Sequence, residues 1–518
     1  MNLLAITLLL PLIGFFVLLF LRRNSKVSFT VAFSITVAAF LTSLGLIGPA
    51  VATPAQFTSS LDSRWIDSPG LQIHFHIGVD GINLWLVLLT TLLLPIGVWI
   101  SQTMVKERQR NFFALLLLFE FGLIGVFTAI DLFAFYVFWE VALVPMYLMV
   151  GGWGGARRGP AAVKFFVYTM LGSVLMLGSI IFLHSKTGTF DYTETLSAFA
   201  SGRVVLSPSQ ELLLFLGFFA AFAVKVPLFP LHTWLPNAYV EAPMPATFLL
   251  AAVMSKMGTY GLLRYCLPLF PTGAQRCASW VVVLAIIGII YGALLALVQP
   301  NIKRLIAYSS LSHLGFIVLG IFTFSQQGAD GAVYQMLAHG ISTGALFLLA
   351  GYLEQRRGTL EIADFGGVAT PAPGLATAFM IAMLASIGLP ALCNFVGEYL
   401  VLQGAALTKF SWAAWAALGV ILSAAYMLWM YQRTFWGKTT RQSAAISDLT
   451  FRDWAPLFPL VLLMVWLGSY TQSFMPPISS ATARLLDQTR MNDEYRVRLT
   501  LPTALHRSVH IEKVSGAR

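Results

Sequence analysis

The 518-residue chain is 58% hydrophobic and only 10% charged, with a mean hydropathy of +0.78. Soluble proteins carry about 25% charged residues, so this composition excludes a soluble globular protein and makes the bilayer the solvent. The formal net charge of +10 gathers in short segments between apolar runs, where it reads as a topology signal and not as a nucleic-acid footprint.

About 20 apolar residues cross a hydrocarbon core. Such segments predict an all-α polytopic membrane protein of about fourteen transmembrane helices. They are centred near Pro11, Val37, Leu92, Leu123, Leu143, Leu175, Phe222, Ala252, Ile287, Phe316, Leu346, Ser386, Leu422 and Met464. The first, Met1 to Leu21, is followed by Arg22, Arg23 and Lys26. A cleaved signal peptide has the opposite order of charge and apolar core, so a retained helix with its N-terminus outside is expected.

Inside loops then hold Arg22, Arg23, Lys26, Lys106, Arg108, Arg110, Arg157, Arg158, Lys164, Lys303, Arg304, Arg356, Arg357, Arg433, Lys438, Arg441 and Arg452. Opposite loops hold only Arg64, Lys186, Arg203, Arg264, Arg276 and Lys409. The asymmetry obeys the positive-inside rule. His74 and His76 fall in an outer loop, where a hairpin is expected. The transmembrane domain is expected over 1–474, followed by a polar tail over 475–518 that carries Arg484, Arg490, Arg496, Arg498, Arg507 and Lys513.

Two spans carry proline in their middles. Pro227 and Pro230 interrupt the seventh, and Pro390 the twelfth. Proline removes a backbone donor and breaks the helical ladder. Inside a membrane the freed carbonyls must be buried in protein or face water. The breaks lie five spans apart, an odd offset that reverses the direction of crossing. Two inverted five-helix repeats, about 112–266 and 278–432, each with a Pro-broken helix, are therefore expected.

The charges assigned to span interiors are Lys225, Lys256, Glu120, Glu140 and Glu398, with His313 and His339 beside them. Each charge at the bilayer centre costs about 2.5–3.5 kcal/mol, so such groups mark proton or ion paths. Glu140 and Lys225 are expected to pair. A lysine released from its pair in low dielectric gives up a proton readily, which makes a switch; the bland alternative is a static bridge between helices. Lys256 has small neighbours that admit water, and its alternative is snorkelling to an interface. The two histidines are relays or helix–helix hydrogen-bonding groups in equal measure. Glu398 is expected as a terminal site. Glu120 pairs with a neighbouring subunit's lysine or lines an entry path. His232 shapes the exit of the broken seventh helix or anchors it at the interface.

Cys266, Cys277 and Cys393 form no CxxC pair and have no histidine at ligand spacing, so no cofactor or metal is assigned to this chain. No Gly-rich nucleotide loop or catalytic triad appears in a credible setting.

Three runs carry a resemblance: FWEVALVPMY at 138–147, KVPLFPLHTWLP at 225–236 and IKRLIAYSSLSH at 302–313. They resemble hallmarks of the antiporter-like subunits of NADH–quinone oxidoreductase, respiratory complex I. Subunits of multisubunit sodium/proton antiporters and membrane-bound hydrogenases share the broad family and are the alternative. Asn394 to Glu398 resembles the M branch, whose sister subunits place lysine in the corresponding span. The resemblance implies a bacterial inner-membrane location and partnership with other membrane subunits, especially two sister antiporter-like ones. It further implies FMN and iron–sulfur clusters on partner subunits, quinone bound elsewhere, and protons moved along Glu140–Lys225, Lys256, His313, His339 and Glu398. The chain departs from the pattern at Asn237 and Tyr239, where aspartate and histidine are usual, and at Ser255, where an apolar residue is usual.

Overall fold

The protein is described by a computed structural model over residues 2–21, 25–68 and 71–500. Arg22, Arg23, Arg507 and Lys513, and the side chains of Arg490, Arg496 and Arg498, lie outside the described residues. Among the described residues, thirteen helices are long and apolar enough to cross a bilayer. They are α1 (Leu3–Phe20), α2 (Lys26–Ala52), α3 (Leu84–Met104), α4 (Gln109–Thr128), α5 (Leu132–Trp153), α6 (Arg158–Thr187), α7 (Pro208–Lys225), α8 (Met244–Leu269), α9 (Pro271–Leu297), α10 (Ile302–Ile321), α11 (Gln326–Arg357), α13 (Phe410–Phe435) and α14 (Phe451–Ser469). The predicted twelfth segment is divided into α12a (Pro373–Ile387) and α12b (Cys393–Thr408). Each predicted span thus has a helical counterpart, and the chain is a multi-pass membrane protein.

One non-helical element interrupts the all-α expectation. Strands β1 (Thr58–Ser68) and β2 (Leu71–Val79) pair antiparallel, with Asp62 opposite His76 and Arg64 opposite His74. A short helix, Tyr192–Ala200, packs near this outer end. The start of the predicted polar tail is also ordered. Helix α15 (Met475–Thr500) buries Ile478, Thr482, Leu485 and Leu486 against the body. Gln326 at the outer end of α11 donates to the Ser479 carbonyl and the Thr482 hydroxyl at 3.0 and 2.8 Å.

Burial grades from the centre outwards. Every residue in the apolar windows of α8 and α11 is buried, against 33% for α1 and 28% for α14. The outer helices present apolar side chains to lipid or partners, as bilayer solvation requires. Around α11 pack α8, α10, α12b and α15.

The proline breaks have local causes and local remedies. Helix α7 stops at Lys225, and the chain resumes helix only over Leu235–Glu241. The Val224 carbonyl, freed by this break, accepts from the Trp234 indole at 2.9 Å, and the Ala223 carbonyl from the Leu228 amide at 2.8 Å. At the other break Gly388 caps α12a with φ +85°, and Leu389 N–H returns to the Leu384 carbonyl at 3.1 Å. Gly468 of α14 seals this break. A Cβ there would lie 2.3 Å from the Ala391 carbonyl oxygen, so only glycine permits the approach.

Two charge assignments need correction. Arg264 is not an outer-loop residue. It lies buried in α8, in a bidentate ion pair with Asp80 at 2.6–2.7 Å. Lys303 is not a loop cation either. It is buried in the first turn of α10, where its Nζ donates to the Ala242 carbonyl at 2.7 Å. Both are held by acceptors far away in sequence, which local hydropathy does not register.

Candidate proton path

Lys256 sits in α8 just after a π-helical stretch, Leu250–Met254. The wider turn lets the lysine reach back five residues to donate to the Ala251 carbonyl at 2.8 Å. Its Nζ also contacts Ser255 Oγ at 3.3 Å and His339 Nδ1 at 2.8 Å. His339 lies on α11, one helical turn beyond Gln335, so both face the same side. The His339 and His313 rings are 5.7 Å apart between centroids, tilted by 45°. His313 Nδ1 meets Glu398 Oε1 at 2.7 Å, and Gln335 donates to the same oxygen at 3.0 Å. Ser386 Oγ lies 3.4 Å from His313 Nε2. Lys256, His339, His313 and Glu398 are all buried.

These four predicted residues form one line, from the middle of α8 to α12b just beyond the twelfth-span break. The Lys256–His339 and His313–Glu398 pairs each join a proton donor to a proton acceptor whose roles exchange with protonation state, whereas the two rings face each other without a hydrogen bond and His339 Nε2 has no partner. The sequence did not single out Gln335 or Ser386. The four-residue step from Gln335 to His339 was a usable signal for the first, whereas Ser386 reaches the site only through the fold of α12a.

The switch residues are arranged differently from expectation. Lys225, at the last turn of α7, is buried, yet its Nζ makes no hydrogen bond. It sits over the Trp139 and Phe165 rings, 5.3 and 5.5 Å from their centroids, in a cation–π setting. Glu140 is within electrostatic range, but among the described residues the two form no ion pair within 4.0 Å. Trp139, adjacent to Glu140, presents its ring to the Lys225 ammonium, while Glu140 Oε1 is buried without a hydrogen-bond partner. Glu120 is fully buried within this chain and neither carboxylate oxygen has a partner, so its side chain does not reach the surface where a neighbouring subunit would dock. His232 is stacked on Phe229 and edge-on to Tyr291, with Nδ1 unpartnered.

The three cysteines are free, buried and on separate elements, a dispersion that fits no iron–sulfur cradle.

Comparison with known proteins places this arrangement. Residues 129–424 match the family model described as NADH:quinone oxidoreductase/Mrp antiporter, transmembrane. NADH-quinone oxidoreductase subunit M of Rhodobacter capsulatus is 44% identical over 504 residues, covering 94% of this chain and 96% of that protein. The corresponding subunit of Rickettsia prowazekii is 41% identical over 94% of this chain and 99% of its own length. A chain of respiratory complex I from Thermus thermophilus with bound NADH superposes with a TM-score of 0.85 at 34% identity, covering 94% of this chain and all of that one. A chain of the Mrp complex from Dietzia shares the fold, with a TM-score of 0.82 at 22% identity over 94% of this chain and 98% of its own. By model match, sequence identity and fold, the chain belongs to the NADH:quinone oxidoreductase/Mrp antiporter transmembrane family.

Proposed function

We propose that this chain is the M-type membrane subunit of a proton-translocating NADH–quinone oxidoreductase, and that its own chemistry is proton transfer. The line Lys256–His339–His313–Glu398 carries this reading. A histidine can accept at one ring nitrogen and release from the other, so protonation of His339 by Lys256 and of Glu398 by His313 needs no large side-chain movement. The 5.7 Å between the two rings suits transfer through one bridging water. FMN and iron–sulfur clusters belong to partner subunits in this reading, and quinone is reduced there.

Lys225 and Glu140 act as the gate. With no hydrogen bond of its own, the Lys225 ammonium depends on aromatic faces and on the field of Glu140. A charge displaced in a neighbouring subunit alters that balance. Moving one charge against 100 mV costs about 2.3 kcal/mol, and a pKa change of one unit is about 1.36 kcal/mol, so a change of about two units matches the load.

Two inverted five-helix repeats belong to the same reading. Asp131 caps α5 and its backbone pairs with Asp191, while Asn301 caps α10 and its backbone pairs with Glu361. These matching β-bridges at the starts of spans five and ten support an odd-span, inverted relation between the halves.

The deciding experiment uses membrane vesicles holding the assembled complex. Lys256→Ala and Glu398→Ala are expected to abolish NADH-driven acidification measured with a pH-sensitive dye. Undiminished acidification in either assembled variant overturns the assignment.

A further inference from the structure

We propose that Lys256 draws its proton directly from the inner side of the membrane, through the hydroxyls of Ser310, Tyr239 and Ser255 and independently of Lys225. The inference rests on the reading of Lys256 as a proton carrier. Of the three groups touching Lys256 Nζ, the Ala251 carbonyl cannot carry a proton and His339 leads outward along the path. Ser255 Oγ, at 3.3 Å, is the group left that can both donate and accept once its own hydroxyl turns from the Ala251 carbonyl, to which it donates at 2.9 Å. The Tyr239 hydroxyl donates to the Leu250 carbonyl at 3.5 Å and lies within reach of Ser255 and Ser310, and all three residues are buried. Ser310 Oγ makes no hydrogen bond of ordinary length. A buried hydroxyl left so is costly, and loose contacts that tighten only during transfer are usual in proton-transfer sites.

The inner end of this relay opens towards solvent. The short helix Leu235–Glu241 buries Tyr239 on one side, while Asn237 and Glu241 line a cavity of about 210 Å³ with Arg157, Lys164 and Arg304. These cations begin α6 and α10, at the ends that the charge rule places inside. Lys303, beside Arg304, is buried and coupled electrostatically to Glu354 and Glu241. Lys303 and Ser310 stand seven residues apart on α10, two turns along one face and about 10 Å in depth. The cavity and Lys303 thus stand on the inner side of the first hydroxyl.

Lys225 offers no comparable link to Lys256. Its Nζ has no hydrogen bond. Between α7 and α8, Gly258 lies tight against the Phe222 carbonyl and Val226, and Gly261 against the Phe222 ring, a close-packed contact between the two lysines' helices. Tyr239 and Ser255 are also two of the positions at which the sequence departs from the pattern it resembles. One structural role explains both departures.

The step balances without a co-reactant. Ser255 gives its hydroxyl proton to the free amine of Lys256 and takes one from Tyr239, which is refilled from Ser310 and the inner side. One proton moves and each hydroxyl is restored.

Ser255→Ala and Tyr239→Phe each remove one oxygen atom, or the hydroxyl proton it carries. In the assembled complex they are expected to slow NADH-driven acidification about 10-fold or more. This is below the roughly 10²–10⁴ of a fully essential proton-transfer group because water substitutes in part. Ser255→Thr should restore the rate lost in Ser255→Ala, and the solvent deuterium isotope effect on pumping should rise in the slow variants. Ser310→Ala repeats the test should either first variant fail to assemble. Normal pumping and an unchanged isotope effect in these variants, with Lys256→Ala inactive, overturn the hydroxyl relay alone. Normal pumping in Lys256→Ala overturns the underlying reading as well.

Discussion

At Glu398 one carboxyl oxygen accepts from Gln335 and shares a hydrogen bond with the His313 ring. Glu398→Gln keeps the shape and removes the titratable group, so pumping should fall steeply while the subunit still assembles. Retained pumping would show that hydrogen bonding, and not proton exchange, is this residue's contribution. The Asp80–Arg264 pair makes the opposite case, structural and not transporting. Asp80→Ala strands a buried guanidinium, which costs about 3–5 kcal/mol, and the expected result is loss of assembled subunit in membranes. Asp80→Leu with Arg264→Met, an apolar replacement of both partners, should recover assembly, as read on a native gel. Lys256, His339, His313 and Glu398 were legible because a titratable side chain in an apolar run is conspicuous. Arg264 was misplaced because its partner stands 184 residues away, a separation that no local pattern encodes.

Helix interruptions divide in the same way. Both proline breaks were readable, since Pro227, Pro230 and Pro390 cannot continue a ladder. The π-helical stretches of α8, Leu250–Met254 and Leu262–Cys266, left no such mark, because they contain neither proline nor glycine. The first nevertheless sets the Ala251 carbonyl within reach of Lys256. Gly388 tests the twelfth-span break directly. Its φ of +85° is unfavourable for any other residue by about 1–2 kcal/mol, and a Cβ would lie 3.2 Å from Glu398 Oε2. Gly388→Ala should therefore depress pumping more than it depresses assembly. Equal losses in the two assays would mean that the break serves packing alone.

At the scale of the whole molecule, the hairpin is tied to Asp191 through His76 and to Asp131 at the start of α5 through the His74 amide, contacts expected to respond to pH. Burial opposes the His76 imidazolium, but the Asp191 hydrogen bond and charge, with Asp62 and Asp131 nearby, raise its pKa above the ordinary 6.5. Asp191, despite its burial, is held below 3.8 by His76, Thr193 and the Glu194 amide. Asp131 is pushed up to about 6 by burial. The His76 contribution is complete below 6.5 and disappears as pH rises through its raised value. That of Asp191 is complete above 3.8 and is lost as pH falls through its lowered value, while Asp131 costs stability as pH rises from 3.8 to about 6 and imposes its full cost above that. Hydrogen-exchange protection of residues 71–79 should therefore be greater at pH 6 than at pH 8, and His76→Gln should remove most of the difference. A protection factor independent of pH would end this account. Hydropathy and loop charge anticipated the number of spans, since both are written locally. They could not anticipate that α15 folds back over Asp330, a contact made through Thr482. The burial of the apolar windows of α8 and α11 has one more consequence. The side chains of the proposed path are insulated, with protein around them, while bilayer thickness and lipid type act on a sheath of helices such as α1 and α14. Exchanging the lipid should alter how firmly the sheath holds together long before it alters the current in the wire.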